Sequence, residues 1–297
     1  MQPHCRWSTK FDHCCFHTER RPSGAAFLLF GLRAAHAATP GTNRMTQKHS
    51  DWPEGYGRRI LAEVDSTLDE ARRIAPTLAG PEWILALHQT KARGRRGRAW
   101  SNPTGNLAAT LVLRPSEPPG TAALRSFVAA LALLDACIAV TGRADGFALK
   151  WPNDVLLNGG KLAGILLESI GQGGRIDHLA IGIGVNLVSA PGSNDVEPGA
   201  LRPVSLLSEA GANVSAESFL DHLATAYDQW ERQFSTIGFE PIRTAWLAHA
   251  ARLGEVITAR MPTERFTGTF VDVDKEGHLV LETAKGRRTI PAADVFF

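Results

Sequence analysis

Apolar and polar positions alternate in an organised way from about residue 60 onward. Residues 60–64, 83–87 and 106–113 are mainly apolar runs that predict strands, and the third of them predicts a buried strand. After the first run, Ser66 precedes apolar residues at helical spacing, and Asp69 three positions later matches a capping box. The pattern predicts a strand followed at once by the first turn of a helix.

The middle of the chain predicts further helices and a hairpin. Residues 121–140 are mostly alanine and leucine with apolar residues on nearly every side, which predicts a buried helix. Residues 155–157 and 161–167 flank Asn158-Gly159, a strong signal for a β-hairpin. The remaining predicted elements are strands at 147–151 and 176–187 and helices at 204–210, 216–235 and 240–252.

The C-terminal segment has a different pattern of residues from the rest of the chain. From Gly254 onward the chain consists of short runs of β-forming residues separated by turns at 274–277 and 285–286. Five short strands in about forty residues are typical of a small SH3-like barrel. We therefore expect an α+β domain over residues 45–252 and a barrel over 253–297.

The first 44 residues show no coherent hydrophobic period, and they are interpreted as a disordered extension or an upstream misassigned start. Three of the four cysteines lie there, and only Cys137 lies in the body of the chain. A disulfide framework is therefore excluded for the main domain, which favours a reducing cytoplasm. We expect no apolar stretch to be long enough to span a membrane.

A cationic loop follows the strand predicted at 83–87. Residues 91–98, Lys-Ala-Arg-Gly-Arg-Arg-Gly-Arg, place five cations around two glycines, and such a loop can bend round a phosphate. The alternatives are a solvated basic loop or a nucleic-acid patch. The chain carries 32 Lys+Arg against 30 Asp+Glu, so it lacks the overall basic field of a nucleic-acid-binding protein.

Two further motifs carry candidate chemistry. Residues 150–154, Lys-Trp-Pro-Asn-Asp, are followed by 160–164, Gly-Lys-Leu-Ala-Gly, so that two strand lysines flank an Asn-Asp pair. This arrangement predicts a site that holds an anion beside a carboxylate. Residues 182–186 contain Gly-x-Gly-x-Asn, which is weak as a dinucleotide fingerprint but allows a ligand to approach the strand closely.

Taken together, residues 93–100, 150–154, 161–165 and 182–186 resemble the biotin–protein ligases, in that family's order and spacing. The resemblance extends from about residue 60 to the C-terminus. It implies an α+β fold in which a class II synthetase-like, mixed-sheet catalytic domain carries an SH3-like β-barrel. Since residues 1–59 show no pair of helices, the chain is similar to the monofunctional type without a DNA-binding domain.

The resemblance implies a two-step reaction in which biotin and ATP form biotinyl-5′-adenylate, which then biotinylates a lysine of a carboxylase carrier domain. Lys161, Arg93 and Arg95 are the implied catalytic residues, and Mg²⁺ accompanies ATP. The implied substrate-binding residues are Ser66, Thr67, Gln89, Arg93, Gly94, Arg95, Lys161 and Gly164. The implied ATP-binding residues are Arg96, Trp100, Lys150, Asn153 and Asn186, with Asp154 as the metal ligand.

Two positions depart from the family pattern. Ala92 replaces the usual first glycine of the loop, so this position must adopt a negative φ or accept strain. Leu68 replaces a common asparagine, which removes one polar contact that biotin could use.

The implied partner is the biotin carboxyl-carrier domain of acetyl-CoA carboxylase or of another biotin-dependent carboxylase. We expect no nucleic acid and no membrane, and monomer and homodimer are both left open. The alternative enzyme is a lipoate–protein ligase or octanoyltransferase. A non-enzymatic biotin sensor, or a nucleic-acid-binding module built on the basic loop, is the alternative outside catalysis.

Overall fold

The computed structural model describes residues 52–101, 103–172, 175–192, 196–197, 199–261 and 263–297. The predicted extension at 1–44 lies outside the described residues. The strands are β1 (Gly57–Val64), β2 (Glu82–Gln89), β3 (Leu107–Leu113), β4 (Phe147–Lys150), β5 (Asp154–Leu157), β6 (Gly160–Ile170), β7 (His178–Val185), β8 (Val256–Arg260), β9 (Arg265–Val273), β10 (Leu279–Thr283), β11 (Gly286–Ile290) and β12 (Asp294–Phe296). The helices are α1 (Thr67–Ile74), α2 (Pro119–Ala123), α3 (Arg125–Thr141), α4 (Leu206–Ala210), α5 (Ala216–Ile237) and α6 (Phe239–Ala248).

A seven-stranded mixed sheet forms the centre of the larger domain, in the order β1-β2-β3-β7-β6-β5-β4. Strands β1 and β2 are parallel, and all other neighbours are antiparallel. Successive residues of a strand point to opposite faces of the sheet, so consecutive side chains of β2 enter different cores. Trp83 packs under α5, whereas Ile84 packs under α1. The expected α+β mixed-sheet fold is confirmed.

The predicted hairpin between β5 and β6 is confirmed in its turn geometry. Asn158 and Gly159 have φ angles of 49° and 75°, the positive values that a two-residue hairpin turn requires. The turn brings the start of β6 back beside β5, with Leu156 paired with Lys161. Asp154, at the start of β5, pairs with Gly164, which lies three residues after Lys161 on β6.

The segment Pro119–Thr141, which includes α2 and α3, is long and apolar enough to span a membrane by length and composition. The expectation that no stretch has this length is therefore wrong. Its most apolar window is 67% buried inside the protein, which is typical of a core helix as well. Its apolar residues pack against α5, α6 and the sheet, as the all-round apolar pattern predicted.

The C-terminal strands form a five-stranded antiparallel sheet in the order β11-β10-β9-β8-β12, in agreement with the expected small barrel. This sheet shares its core with the larger domain. Trp151 is buried, and its indole N–H donates to the carbonyl of Gly277 over 3.0 Å. Gly277 itself lies against Phe127 of α3. The contact therefore joins the turn between β9 and β10 to the motif at 150–154.

Candidate active site

A cavity of about 690 Å³ lies where β2, β4 and β7 end and β5 and β6 begin. All but one of the site residues predicted from the sequence line it. These lining residues are Ser66, Thr67, Gln89, Arg93, Gly94, Arg95, Trp100, Lys150, Asn153, Asp154, Lys161, Gly164 and Asn186.

At one end of the cavity is a buried polar group centred on Thr67. The Thr67 backbone N–H and hydroxyl both donate to Gln89 Oε1, over 2.8 and 3.1 Å. Thr110 in turn donates its hydroxyl to Thr67 Oγ1 over 2.8 Å. Because the Gln89 amide oxygen is already used, its NH₂ group is the one that it can offer to a ligand carbonyl.

Ser66 caps α1, but not by the predicted capping box. Its hydroxyl accepts from the Leu68 backbone N–H over 3.2 Å, and its own N–H donates to Asp65. The carboxylate of Asp69, expected to reach back to Ser66, is bound by Arg93 instead. An ionic partner offers a stronger interaction than a backbone N–H, and the sequence pattern did not reveal it.

Leu68 forms an apolar wall beside this polar group. It is buried, and a Cβ atom added at Gly182 would lie 3.0 Å from Leu68 Cγ. Strand β7 therefore uses a glycine where the leucine covers it, which accommodates the departure from the family pattern. Among the described residues the non-glycine positions with positive φ are Arg96, Asn158 and Arg252, so of the two alternatives at Ala92 the negative φ holds.

Two lysines share the carboxylate of Asp154. Lys161 Nζ lies 2.8 Å from Asp154 Oδ1, and Lys150 Nζ lies 3.8 Å from Oδ2. Burial lowers the pKa of Lys150, and Asp154 opposes this shift while Lys161 adds to it. Two ammonium groups against one carboxylate leave this part of the cavity positive, which favours an anionic ligand.

Two asparagine side chains line the same region, and they differ in whether both amide atoms have hydrogen-bond partners. The Asn153 side chain is fixed, because Nδ2 donates to the Ile165 carbonyl and Oδ1 accepts from Arg95 over 3.3 Å. Asn186 is buried and donates through Nδ2 to the Val204 carbonyl over 3.0 Å. Its Oδ1 finds no hydrogen-bond partner among the described residues, so it is an acceptor available to a ligand N–H.

The indole of Trp100 packs against two strand glycines, Gly164 and Gly184. A Cβ atom added at Gly184 would lie 2.7 Å from Trp100 Nε1, and one at Gly164 would lie 3.4 Å from Cζ3. Lys161 Nζ lies 5.6 Å from the centre of the Trp100 ring, within cation–π range. Both glycines of the 182–186 motif are thus approached closely by the protein's own side chains, Gly182 by Leu68 and Gly184 by Trp100.

The cationic loop, residues 91–100, is tied to the C-terminal strand β12 through Asp294. Arg96 Nη1 and Arg98 Nη2 lie 2.5 and 3.2 Å from Asp294 Oδ2, and Arg95 Nη1 lies 3.9 Å from Oδ1. Burial by itself would raise the pKa of Asp294, but Arg96 and Arg98 outweigh it and lower the pKa. The loop therefore bridges the two domains.

Arg96 is the predicted site residue that the structure does not bring into the cavity. Its backbone is in the left-handed region, with φ of 58°, and its side chain pairs with Asp294. Arg98 lines the cavity in its place. The role of Asp294 was missed because it lies 198 residues from Arg96, and no local pattern connects the two.

The carboxylates that line the cavity do not form a resident metal site. Asp154, predicted to bind Mg²⁺, faces two lysines, while Glu197 lies 2.9 Å from Arg98 and Asp294 pairs with the arginines of the loop. Each described lining carboxylate is thus already paired with a cation. Since Mg²⁺ prefers oxygen ligands and retains several waters, a carboxylate beside two ammonium groups is a poor ligand.

The chain is similar to known proteins over most of its length. The sequence pattern of the Biotin/lipoate A/B protein ligase family matches residues 57–186, and that of the Biotin protein ligase C terminal domain matches 253–297. A biotin–[acetyl-CoA-carboxylase] ligase of Paracoccus denitrificans is 56% identical over 238 residues, which cover 80% of this chain and 99% of the relative. The bifunctional ligase/repressor BirA of Bacillus subtilis is 33% identical over 237 residues, covering 78% of this chain and 71% of the relative.

Solved structures share the fold. A biotin protein ligase from Aquifex aeolicus in complex with biotin and ATP has a TM-score of 0.69 and 24% identity, covering 80% of this chain and 97% of that one. A biotin protein ligase from Leishmania major in complex with biotinyl-5-AMP has a TM-score of 0.59 and 25% identity, covering 80% and 99%. The chain belongs to the biotin protein ligase family.

Proposed function

We propose that the protein attaches biotin to a lysine of a carboxylase carrier domain, using ATP and passing through biotinyl-5′-adenylate. One observation supports this most strongly. A single cavity joins a buried polar group at Thr67 and Gln89, a two-lysine carboxylate cluster and the unpaired acceptor of Asn186. These three parts suit a neutral polar ring, two reacting anions and an adenine amino group, respectively.

In the first step a biotin carboxylate oxygen attacks the α-phosphorus of ATP, and pyrophosphate leaves. Lys161 and Lys150 reduce the repulsion between the two anions, and Lys161, the more exposed of the two, contacts both reactants. The cavity lining offers no unpaired side-chain carboxylate among the described residues, so any Mg²⁺ that accompanies ATP would depend on the nucleotide for its ligands.

In the second step the carrier lysine amine attacks the carbonyl carbon of the mixed anhydride, and AMP leaves. Arg95 helps to keep the adenylate covered until then: it contacts Asn153 and the Ala293 carbonyl, and so spans the cavity from one domain to the other. Asn186 Oδ1 accepts from the adenine amino group, and Trp100 offers an indole face for stacking.

The carrier domain of acetyl-CoA carboxylase or of another biotin-dependent carboxylase is the proposed partner. The paucity of cysteines in the body of the chain favours the cytoplasm as its compartment. The near balance of charges favours function without nucleic acid, and a salt-dependent DNA-binding assay tests that point.

The test of the first step is exchange of labelled pyrophosphate into ATP. Biotin should support exchange, while lipoate and octanoate should not. Exchange supported by lipoate alone would instead identify a lipoate–protein ligase, and binding of biotin without exchange would identify a sensor.

A further inference from the structure

Arg93 is an implied catalytic and substrate-binding residue, but its guanidinium is already bound by two carboxylates. Its Nη1 and Nη2 lie 2.7 and 2.9 Å from the two oxygens of Asp69, a bidentate pair. Nη2 also lies 3.1 Å from Glu168 Oε2, and Nε lies 3.2 Å from Oε1. Both carboxylates raise the pKa of Arg93. All three nitrogens of the guanidinium are therefore engaged.

The partners of Arg93 belong to the elements that build the cavity. Asp69 lies in the first turn of α1, directly after the cavity-lining residues Ser66 and Thr67. Glu168 lies on β6, the strand that carries Lys161. Arg93 thus connects the cationic loop to both.

Arg93 also lies at the base of the loop, where the two ends of the loop are hydrogen-bonded to each other. It forms a β-bridge with Ala99, and the Trp100 N–H donates to the Ala92 carbonyl over 3.1 Å. Gly94 N–H donates to the Arg98 carbonyl over 2.7 Å. These bonds join residues 92–94 to residues 98–100, at the base of the loop. Holding Arg93 in place therefore also holds the base from which the other arginines project.

We propose that Arg93 anchors the cationic loop and is not a phosphate ligand, and that Asp69 and Glu168 are the positioning residues that hold it. A phosphate would have to displace a bidentate carboxylate from Arg93. Arg95 is not restrained in this way, because its nearest described carboxylate contact is the 3.9 Å approach to Asp294. The two arginines thus have different roles: Arg93 holds the loop, and Arg95 contacts the ligand.

This inference deepens the proposed function, because the ligand that the positioned loop covers is the adenylate. Its first test needs no ligand at all. Asp69→Asn keeps the shape of the side chain and removes the charge, so the loop should be cut by trypsin about tenfold faster in the ligand-free protein. Asp69→Glu should restore much of the protection, and Glu168→Gln should repeat the effect with an unchanged first turn of α1.

Glu70→Gln is the matched control. Glu70 is the other acidic residue in the first turn of α1, and its carboxylate lies 2.7 Å from Arg73 instead of touching the loop. Both substitutions remove one favourable charge near the helix N-terminus, so they should lower the melting temperature alike. Only Asp69→Asn should expose the loop. Equal tryptic cleavage in the two variants would overturn the proposal.

A kinetic comparison separates an anchor from a phosphate ligand. If Arg93 only anchors, Asp69→Asn and Arg93→Ala should change kcat and adenylate release by similar factors, and the double variant should be no worse than Arg93→Ala. If Arg93 binds phosphate, Arg93→Ala should raise the KM for ATP far more than Asp69→Asn, and the proposal fails. Absence of exchange in the wild-type protein would contradict the ligase activity, whereas the tryptic result would stand separately.

Discussion

Replacing Lys161 with glutamine should stop the chemistry and leave the fold intact. The ammonium group contacts Asp154 over 2.8 Å, and one third of the side chain is exposed. After the substitution Asp154 still has Lys150 at 3.8 Å, so the carboxylate is not left without a cation. We therefore expect the free energy of unfolding to fall by only about 1 kcal/mol.

The effect on the first reaction step should be much larger. In the proposed mechanism the Lys161 ammonium contacts both the biotin carboxylate and the α-phosphate of ATP. Two charge-assisted hydrogen bonds, worth about 1.5–3 kcal/mol each, correspond to a slowing of roughly 10²- to 10⁴-fold if both are needed in the transition state. Single-turnover formation of labelled adenylate measures this step directly.

A matched control is Lys275→Gln, which removes an exposed lysine in the turn before β10 whose one ion pair within the described residues is with Glu276. It should leave both the rate and the melting temperature unchanged. Near-normal adenylate formation by Lys161→Gln would refute the assignment, and Lys150 would then be the candidate. A slow reaction accompanied by a melting temperature far below that of the wild type would refute the claim that Lys161 acts on the ligand.

Four further predictions concern separate parts of the structure. Gly184→Ala should displace the indole of Trp100, because its Cβ would lie 2.7 Å from Nε1, and the KM for ATP should rise about tenfold in steady-state assays. Arg95→Gly should release free biotinyl-adenylate that labels bystander proteins; a raised KM for ATP without any stray labelling would contradict its covering role. Burial lowers the pKa of Lys150, so the unfolded chain binds more protons. The free energy of unfolding should therefore increase as pH rises from that lowered pKa towards about 10.4, and Lys150→Met should flatten the increase in urea titrations. A chain that begins at Met45 should match the full chain in melting temperature and turnover, and a loss of either would show that residues 1–44 contribute.

The sequence predicted the local elements well, because local chemistry determines them. The turn at Asn158-Gly159 needs only two residues that tolerate positive φ, and the structure has both. The helix after residue 119 is apolar on nearly every side, and this composition alone predicts a helix whose faces avoid water. Neither feature depends on what the rest of the chain does.

The sequence did not predict how charges would be paired across the fold. Asp69 matched a capping box by its spacing, but Arg93, which is 24 residues away, binds it. Asp294 carried no local signal, yet three arginines of the cationic loop approach it from the other domain. The residue types of the site were therefore predictable from the sequence, whereas the division of roles among the arginines required the tertiary structure.

The most direct test of the proposed function is transfer to a carrier. The protein is incubated with ATP, Mg²⁺, biotin and the biotin carboxyl-carrier domain of acetyl-CoA carboxylase, and the carrier is analysed by intact-mass and peptide mass spectrometry. We predict one biotinyl group on one lysine of the carrier, dependent on ATP and absent with the Lys161→Gln variant. An unmodified carrier in the presence of folded wild-type protein, or a carrier modified by lipoate but not by biotin, would contradict the proposal.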